Sequence, residues 1–183
     1  MTKEPKPMAS PIRVIRRRKD ALLTRRGYGA LGIRLLLIAM AVWFAFGQIF
    51  LLHRNQGLGM FPAVKDGDLV LAYRLQQEYG KGDVVVYRGG GLLHLGRVAA
   101  LGTDVIMMDD SGSLTVNGSP QNGEILYPTF ARENTVYPLR VQEGMVFVLG
   151  DYRTQTQDSR DFGPNPLDDI QGKVITLVRR RGL

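Results

Sequence analysis

Residues 150–163 have the sequence Gly-Asp-Tyr-Arg-Thr-Gln-Thr-Gln-Asp-Ser-Arg-Asp-Phe-Gly. The spacing of Asp, Ser and Arg in this segment is the most specific pattern in the chain, whereas the other motifs are weak when taken one at a time. Its acidic residues Asp151 and Asp158, together with Arg160 and the earlier Arg97, have two interpretations. They are either paired carboxylates for acid–base chemistry or ion pairs that brace a sheet. A carboxylate held by an arginine stays ionised and is a poor general acid, so we favour ion pairs.

Short segments rich in β-branched and aromatic residues, separated by Gly, Asp and Asn, occur throughout the chain after residue 67, and this pattern is typical of strands. The segments are 68–73, 83–87, 92–101, 105–108, 114–116, 145–149 and 174–178. Asn117-Gly118 predicts a tight hairpin turn, because both residues tolerate a positive φ. Gly89-Gly90-Gly91 is too short for a linker and predicts a hairpin tip. The fold class that follows is mainly β.

An apolar stretch of 18 residues, 35–52, precedes the β region and contains one polar residue, Gln48. As a helix it would cover about 27 Å, enough for the hydrocarbon core of a membrane. A cleaved secretory signal is the alternative, but such signals have shorter apolar cores and a small-residue cleavage site, which Gln56-Gly57-Leu58 does not offer. We predict a retained transmembrane anchor over 35–53, which contacts membrane lipid through 35–52, and an extracytoplasmic β domain over 54–183.

Positive charge is concentrated ahead of this anchor. Residues 1–34 hold ten Lys or Arg and two acidic residues, a net charge of +8, whereas the rest of the chain has 14 basic and 15 acidic residues. A basic segment before a spanning helix keeps that end in the cytoplasm, so we predict a single-pass protein of the cytoplasmic membrane with its N-terminus inside. We expect 1–34 to be a mostly disordered basic tail with at most one short helix after Ala21. The folded part has no basic excess, so we predict no nucleic-acid partner and attribute the tail's charge to anionic lipid.

The chain has no cysteine, so the exported domain must be stable without disulfides, and neither thiolate catalysis nor a Cys-ligated metal is available. His53 and His94 are the only histidines. They are too few and too far apart in sequence for a His-based metal site. We therefore predict no metal and no cofactor.

Four segments beyond the anchor, together with 150–163, resemble the type I signal peptidases in the family's order. The segment 57–68 resembles the family's Ser-Met-x-Pro-Thr motif followed by Gly-Asp, and 81–87 resembles its Arg-Gly-Asp-x-Val strand. Residues 95–104 resemble the Lys-Arg-Val-x-Gly-x-Pro-Gly-Asp strand, and 116–118 match the Asn-Gly hairpin that follows it. The resemblance implies an antiparallel signal-peptidase-like β domain behind a single N-terminal transmembrane helix.

The resemblance also assigns residues to positions of the family's motifs. It implies that Asp151 lies near Arg97 and Asp158 near Arg160, as structural ion pairs. Arg153, Thr156 and Ser159 belong to the same structural motif. Thr156 stands where the family has a serine that orients the catalytic lysine.

The catalytic dyad of the family is missing. The family attacks the scissile bond with a serine whose proton is taken by a buried, neutral lysine. Gly59 occupies the serine position and Gly96 the lysine position. Neither glycine has a side chain, so we expect no catalytic residues and no ordinary signal-peptidase activity.

A substrate groove could outlast the dyad, because such peptidases hold an extended strand by backbone hydrogen bonds. We expect glycine at both dyad positions to leave the groove open. The expected lining is Gly57, Gly59, Met60, Phe61, Pro62, His94 and Gly96. Core or membrane-facing packing is the alternative for Met60 and Phe61. His94 shares a strand face with Gly96 and is a candidate base without a nucleophile, although a partly exposed structural histidine is the simpler interpretation.

These observations predict a membrane-anchored, non-catalytic protein that binds an exported peptide or protein, as an accessory of secretion or of surface-protein assembly. It resembles the degenerate relatives that serve pilus assembly alongside sortases in Gram-positive bacteria, which implies a pilin client and a sortase partner. The alternative is an active signal peptidase with displaced catalytic groups. A third possibility, an inert regulator of a second peptidase, also predicts no turnover.

Overall fold

A computed structural model describes residues 11–121, 127–132 and 135–179, with side chains from residue 27 onward. The chain divides into a helical unit that ends at Phe46 and a β unit that begins at Gly47. The elements are α1 (Pro11–Ile49), β1 (Phe50–Arg54), β2 (Leu69–Tyr73), β3 (Val84–Gly89), β4 (Leu92–Leu101), β5 (Val105–Met108), β6 (Leu114–Val116), β7 (Ser119–Pro120), β8 (Leu139–Arg140), β9 (Met145–Leu149), α2 (Ser159–Phe162), β10 (Asn165–Pro166), a 3-10 turn (Leu167–Asp169) and β11 (Ile170–Val178).

The helix α1 contains a segment that is long and apolar enough to cross a membrane. This segment, Gly27–Ile49, has 23 residues and a mean hydropathy of 2.0, and none of it is buried within the structure. It would cover about 34 Å. Its apolar side chains are exposed, including Trp43 at 83%, as a lipid-facing helix requires.

The boundaries of this span differ from the predicted anchor at 35–53. The helix ends at Ile49, and the next residues form β1, in which Phe50 pairs with Tyr73 and His53 with Val70. A short apolar run is compatible with a helix or a strand, and here the pairing with β2 decides. The helix also begins at Pro11, well before the short helix expected after Ala21. Residues 1–10 of the predicted tail lie outside the described residues.

The β unit consists of two antiparallel sheets, which confirms the predicted fold class. The larger sheet has seven strands in the order β1-β2-β11-β3-β4-β9-β10, and the smaller has four in the order β7-β6-β5-β8. The turn at Asn117-Gly118 has the positive φ values of 53° and 78° that a two-residue hairpin needs. Sequence reasoning missed β1 and the two-residue strands, and it began β11 at Val174 instead of Ile170.

Both faces of the larger sheet are covered. On one face, Leu95 of β4 packs in a buried cluster with Met60, Val70 and Val86. On the other face, Val98 of β4 packs with neighbours on β3 and β9. Because strand residues alternate between faces, this arrangement places Leu95 and Gly96 on opposite sides of the sheet.

An ion pair between Asp158 and Arg160 ties the segment after β9 to the helix α2. Both side chains are almost completely buried, at 1% and 2% exposure. Arg160 Nε lies 2.9 Å from Asp158 Oδ1, and Arg160 Nη2 lies 2.8 Å from Asp158 Oδ2. Asp158 is also the N-cap of α2, and its Oδ2 accepts a hydrogen bond of 3.2 Å from the Gly150 backbone.

Replacing Asp158 with Ala should destabilise the β unit by about 3–5 kcal/mol, because it leaves the Arg160 charge buried without its partner. The matched control is Asp151→Ala, which removes the partner of the more exposed Arg97, at 31%. We expect the control to lose about 1 kcal/mol. Denaturant unfolding of the full chain in detergent micelles, followed by near-ultraviolet circular dichroism, measures both. Equal losses would contradict the importance of the buried pair.

Candidate functional site

A groove of about 510 Å³ opens in the β unit. It lies between the end of β1 with the segment that follows it, the beginning of β4, and the loop before α2. Its lining residues are His53, Asn55, Gln56, Gly57, Leu58, Gly59, Leu92, Leu93, His94, Leu95, Gln155, Thr156 and Gln157. Apart from the two histidines these residues are apolar or uncharged, so the groove suits an uncharged chain segment.

One edge of β4 is unpaired where it borders the groove. Residues 92–97 of β4 pair with β3, but pairing with β9 begins only at Arg97. The Val98 backbone donates to the Asp83 carbonyl at 2.9 Å, so the backbone N–H and C=O of Val98 point towards β3. Because these groups point to alternate sides along a strand, those of Leu93 and Leu95 point away from β3. Within the described residues, no strand pairs with this edge between Leu92 and Gly96. An extended peptide could therefore add here as a strand.

Gly59 lies at the wall of the groove, directly beside Thr156. A Cβ atom at Gly59 would be 3.0 Å from Thr156 Oγ1. The Gly59 carbonyl accepts a hydrogen bond of 3.0 Å from the Tyr152 backbone, which fixes the segment 57–59 against the loop after β9. The position that the resemblance assigns to the nucleophile is thus bordered by the Thr156 hydroxyl group.

Gly96 does not line the groove, contrary to expectation. It is buried, and a Cβ atom there would be 2.5 Å from Val148 Cγ1 and 3.0 Å from Tyr87 Cε1. The neighbouring side chains of β9 and β3 therefore already fill the space in which a lysine side chain would begin. Gly59 lines the groove. The expectation that glycine leaves the groove open is wrong at Gly96, because neighbouring side chains occupy the space there.

Met60, Phe61 and Pro62 also lie outside the groove lining. Met60 is completely buried in the core and was wrongly assigned to the groove. Phe61 contacts the ring of Tyr152, with centroids 6.1 Å apart, and Pro62 is exposed. Met60 therefore packs in the core, which was the alternative interpretation of this residue.

Two histidines line the groove, and His53 was not predicted to do so. Burial first, and then the nearby His94 ring, lower the pKa of His53. His94 Nε2 lies 3.0 Å from the Gly89 carbonyl, and its ring packs against Tyr87 and Phe162. These contacts fix His94 as part of the hairpin between β3 and β4. Recognition of β1 as a strand could have identified His53, because residues two apart on a strand share a face and His53 lies on the same face as the partly buried Leu51.

The residues of the ion pairs are not part of the groove lining. Arg97 Nε and Nη2 donate to Asp151 at 2.8 and 2.7 Å, so the two residues form a bidentate pair that joins β4 to the loop after β9. Sequence reasoning missed a further pair between Arg132 and Asp161. Arg132 Nη2 also donates to the Thr156 carbonyl at 2.6 Å.

Arg153 and Ser159 connect the segment 150–163 to other parts of the β unit. Arg153 is buried and donates to Thr129 Oγ1 at 2.8 Å and Gln121 Oε1 at 2.9 Å. Burial, assisted by the charge of Arg160, lowers the pKa of Arg153 to about 10, so it remains charged at neutral pH. Ser159 Oγ accepts hydrogen bonds from the Val148 backbone at 2.9 Å and from Asn165 at 3.0 Å. Its hydroxyl therefore holds α2 against β9.

Metal ligation finds no support in the part of the chain that the structure describes. No group of three or more His, Asp or Glu side chains is arranged to hold a metal ion there. His53 and His94 share the groove without a carboxylate in its lining.

Comparison with known proteins identifies the family of this chain. The family model described as "Signal peptidase, peptidase S26" matches residues 28–178. The chain belongs to this signal peptidase family. The match begins within α1 and ends at the last residue of β11, so it covers the span and the β unit alike.

The chain is also similar to individual members of the family, at 25–30% identity. A thylakoidal processing peptidase 1 of Arabidopsis thaliana is 28% identical over 132 residues, which cover 63% of this chain and 38% of that protein. The signal peptidase I of Bacillus caldolyticus is 30% identical over 135 residues, which cover 65% of this chain and 74% of that protein. The crystal structure of a signal peptidase I from Enterococcus faecalis has a TM-score of 0.44 at 25% identity, over 55% of this chain and 98% of that one. The chain thus spans less than two fifths of the length of the thylakoidal relative.

In this signal peptidase family member, a double-mutant cycle between Gly96 and Val148 measures how closely the Val148 side chain approaches Gly96, as a coupling free energy of unfolding. Gly96→Ala should destabilise the β unit by about 1–3 kcal/mol, because its Cβ overlaps the Val148 methyl. In a Val148→Ala background the same change should cost less, with a coupling of about 0.5–3 kcal/mol. Denaturant unfolding of the four variants measures it.

Gly80→Ala is the control for this cycle. A Cβ there would be 3.7 Å from Asp83 Oδ2, an ordinary contact, so we expect a change within about 0.5 kcal/mol. Additive effects of Gly96→Ala and Val148→Ala would show that Val148 does not occupy the position of the lost side chain.

Proposed function

We propose that this chain is a membrane-anchored, non-catalytic member of the signal peptidase family that binds an extended segment of an exported protein. The observation that carries the proposal is the filled space at Gly96, where Val148 Cγ1 lies 2.5 Å from the position of a Cβ atom. The family's base requires an amine at this place, and neither an amine nor room for one is present.

The lining of the groove supports the absence of catalysis. Thr156 carries the only hydroxyl group among the lining residues of the described chain, and no lysine lies among them. A hydroxyl becomes an effective nucleophile when a neighbouring base accepts its proton. His94, the candidate base, already has its Nε2 3.0 Å from the Gly89 carbonyl.

The same lining supports peptide binding. The unpaired edge of β4 offers backbone donors and acceptors, and a strand added there makes main-chain hydrogen bonds independently of sequence. Leu58, Leu92 and Leu93 are exposed along the groove, at 46%, 67% and 43%. Apolar side chains of a bound segment could pack on them.

The client we propose is an exported protein whose extended segment reaches the outer face of the membrane, such as a pilin or another surface protein. In this role the chain would act as an accessory of secretion or of pilus assembly, with a sortase as partner, in a Gram-positive bacterium. An active signal peptidase with displaced catalytic groups is the alternative. The cleavage assay below distinguishes the two.

The purified full chain in detergent should not cleave a preprotein that an active family member cleaves. Loss of a nucleophile or base costs on the order of 10⁶ in turnover in another serine protease, so we expect less than about 10⁻³ of the active protein's rate. Gly59→Ser combined with Gly96→Lys should also remain inactive, because Val148 obstructs the lysine. Mass spectrometry of the products measures both. Specific cleavage above that level by the natural chain would favour the active alternative.

The β unit should lie outside the cytoplasmic membrane, because the +8 charge of residues 1–34 holds the N-terminus inside. Protease added to intact protoplasts should digest residues 55–183 and leave an N-terminal tag protected. Permeabilised protoplasts are the control in which the tag is also digested. A protected β unit in intact protoplasts would establish the opposite orientation.

A further inference from the structure

Thr156 has a hydroxyl group that the rest of the structure uses only weakly. Its Oγ1 is 3.4 Å from the Gln157 carbonyl, a long distance for a hydroxyl donor. Thr156 is 7% exposed and lines the groove. In the family pattern this position orients the lysine, and with Gly96 in place of the lysine the hydroxyl is available for another partner.

The surroundings of Thr156 hold its side chain in one place. A Cβ atom at Gly59 would be 3.0 Å from Thr156 Oγ1, and one at Gly150 would be 2.3 Å from it. The Thr156 side chain therefore occupies the space between two glycine backbones. Arg132 Nη2 fixes the Thr156 carbonyl at 2.6 Å, so the hydroxyl is positioned before any ligand binds.

The hydroxyl also stands beside the place where the family's nucleophile meets a substrate carbonyl. The Gly59 carbonyl accepts a hydrogen bond of 3.0 Å from the Tyr152 backbone, and a Cβ atom at Gly59 would be 3.0 Å from Thr156 Oγ1. A peptide laid against the β4 edge would bring its backbone past this wall. The groove lining holds no Lys, Arg, Asp or Glu, so the Thr156 hydroxyl can donate to a peptide carbonyl without competition from a charged side chain there.

We propose that the Thr156 hydroxyl donates a hydrogen bond to a backbone carbonyl of the bound client, at the position that cleavage would require in an active relative. This inference rests on the proposed peptide-binding function. Thr156 is then a positioning residue, which fixes the register of the bound segment without the breaking of any bond. The ligand class is an uncharged, extended peptide.

The test uses the full chain in detergent micelles and a fluorescein-labelled decapeptide selected for binding to it from a library of uncharged decapeptides. Thr156→Val keeps the shape of the side chain and removes the hydroxyl, so Kd should rise about three- to tenfold. Thr156→Ser should stay within about twofold of the natural chain, since it keeps the donor. Thr154→Val is the matched control, because Thr154 is exposed in the same loop and outside the groove lining; it should also stay within about twofold.

A second measurement separates a hydrogen bond from a structural effect. Each carbonyl oxygen of the peptide is replaced in turn by sulfur, a weaker acceptor. One thioamide should weaken binding to the natural chain about threefold or more and have no effect on Thr156→Val, which shows coupling between the two groups. Near-ultraviolet circular dichroism checks that each variant is folded.

The outcomes distinguish the inference from the function on which it rests. If the natural chain binds a peptide and Thr156→Val binds it equally well, or if every thioamide affects both chains alike, the Thr156 assignment is wrong while peptide binding stands. If no peptide in the library binds the natural chain, the peptide-binding function is overturned, and the Thr156 assignment with it.

Discussion

The buried ion pair of Asp158 and Arg160 determines where the loop between β9 and α2 lies. Asp158 caps α2 and accepts from the Gly150 backbone, while Arg160 Nη2 also donates to the Arg153 carbonyl at 2.6 Å. Two charges can stay buried only if each is matched by the other and by further hydrogen bonds. The pair therefore stabilises the loop conformation in which residues 155–157 line the groove.

Gly150 allows the loop after β9 to pack directly against Gly59 and Thr156. A Cβ atom there would be 2.6 Å from the Gly59 carbonyl and 2.3 Å from Thr156 Oγ1. Backbone atoms that approach this closely exclude any side chain. The segment 57–59, the loop after β9 and Thr156 are consequently packed as one wall of the groove. The opposite wall is the unpaired edge of β4.

The two positions that the resemblance assigns to the dyad differ in their surroundings. At Gly59 the loss of a side chain leaves a surface that faces the groove, whereas at Gly96 neighbouring side chains fill the space. Protein interiors are close-packed, so a buried side chain that is lost leaves a cavity unless its neighbours move in. Gly59 lines the groove, so the absence of a side chain there creates no enclosed cavity. This contrast supports the proposal of a non-catalytic family member that binds a peptide in the groove.

The amino-acid sequence by itself determined the family, the antiparallel β class and the apolar span, and the absence of the dyad is its prediction. These features depend on residue identity, on local periodicity and on motif spacing, all of which are written along the chain. The tertiary structure decided that Phe50–Arg54 form a strand, that Met60 belongs to the core, and that Val148 closes the space at Gly96. It also brought His53 and Thr156 to the same groove. Each of these outcomes depends on which residues from distant parts of the chain come into contact, and local sequence carries no record of such contacts.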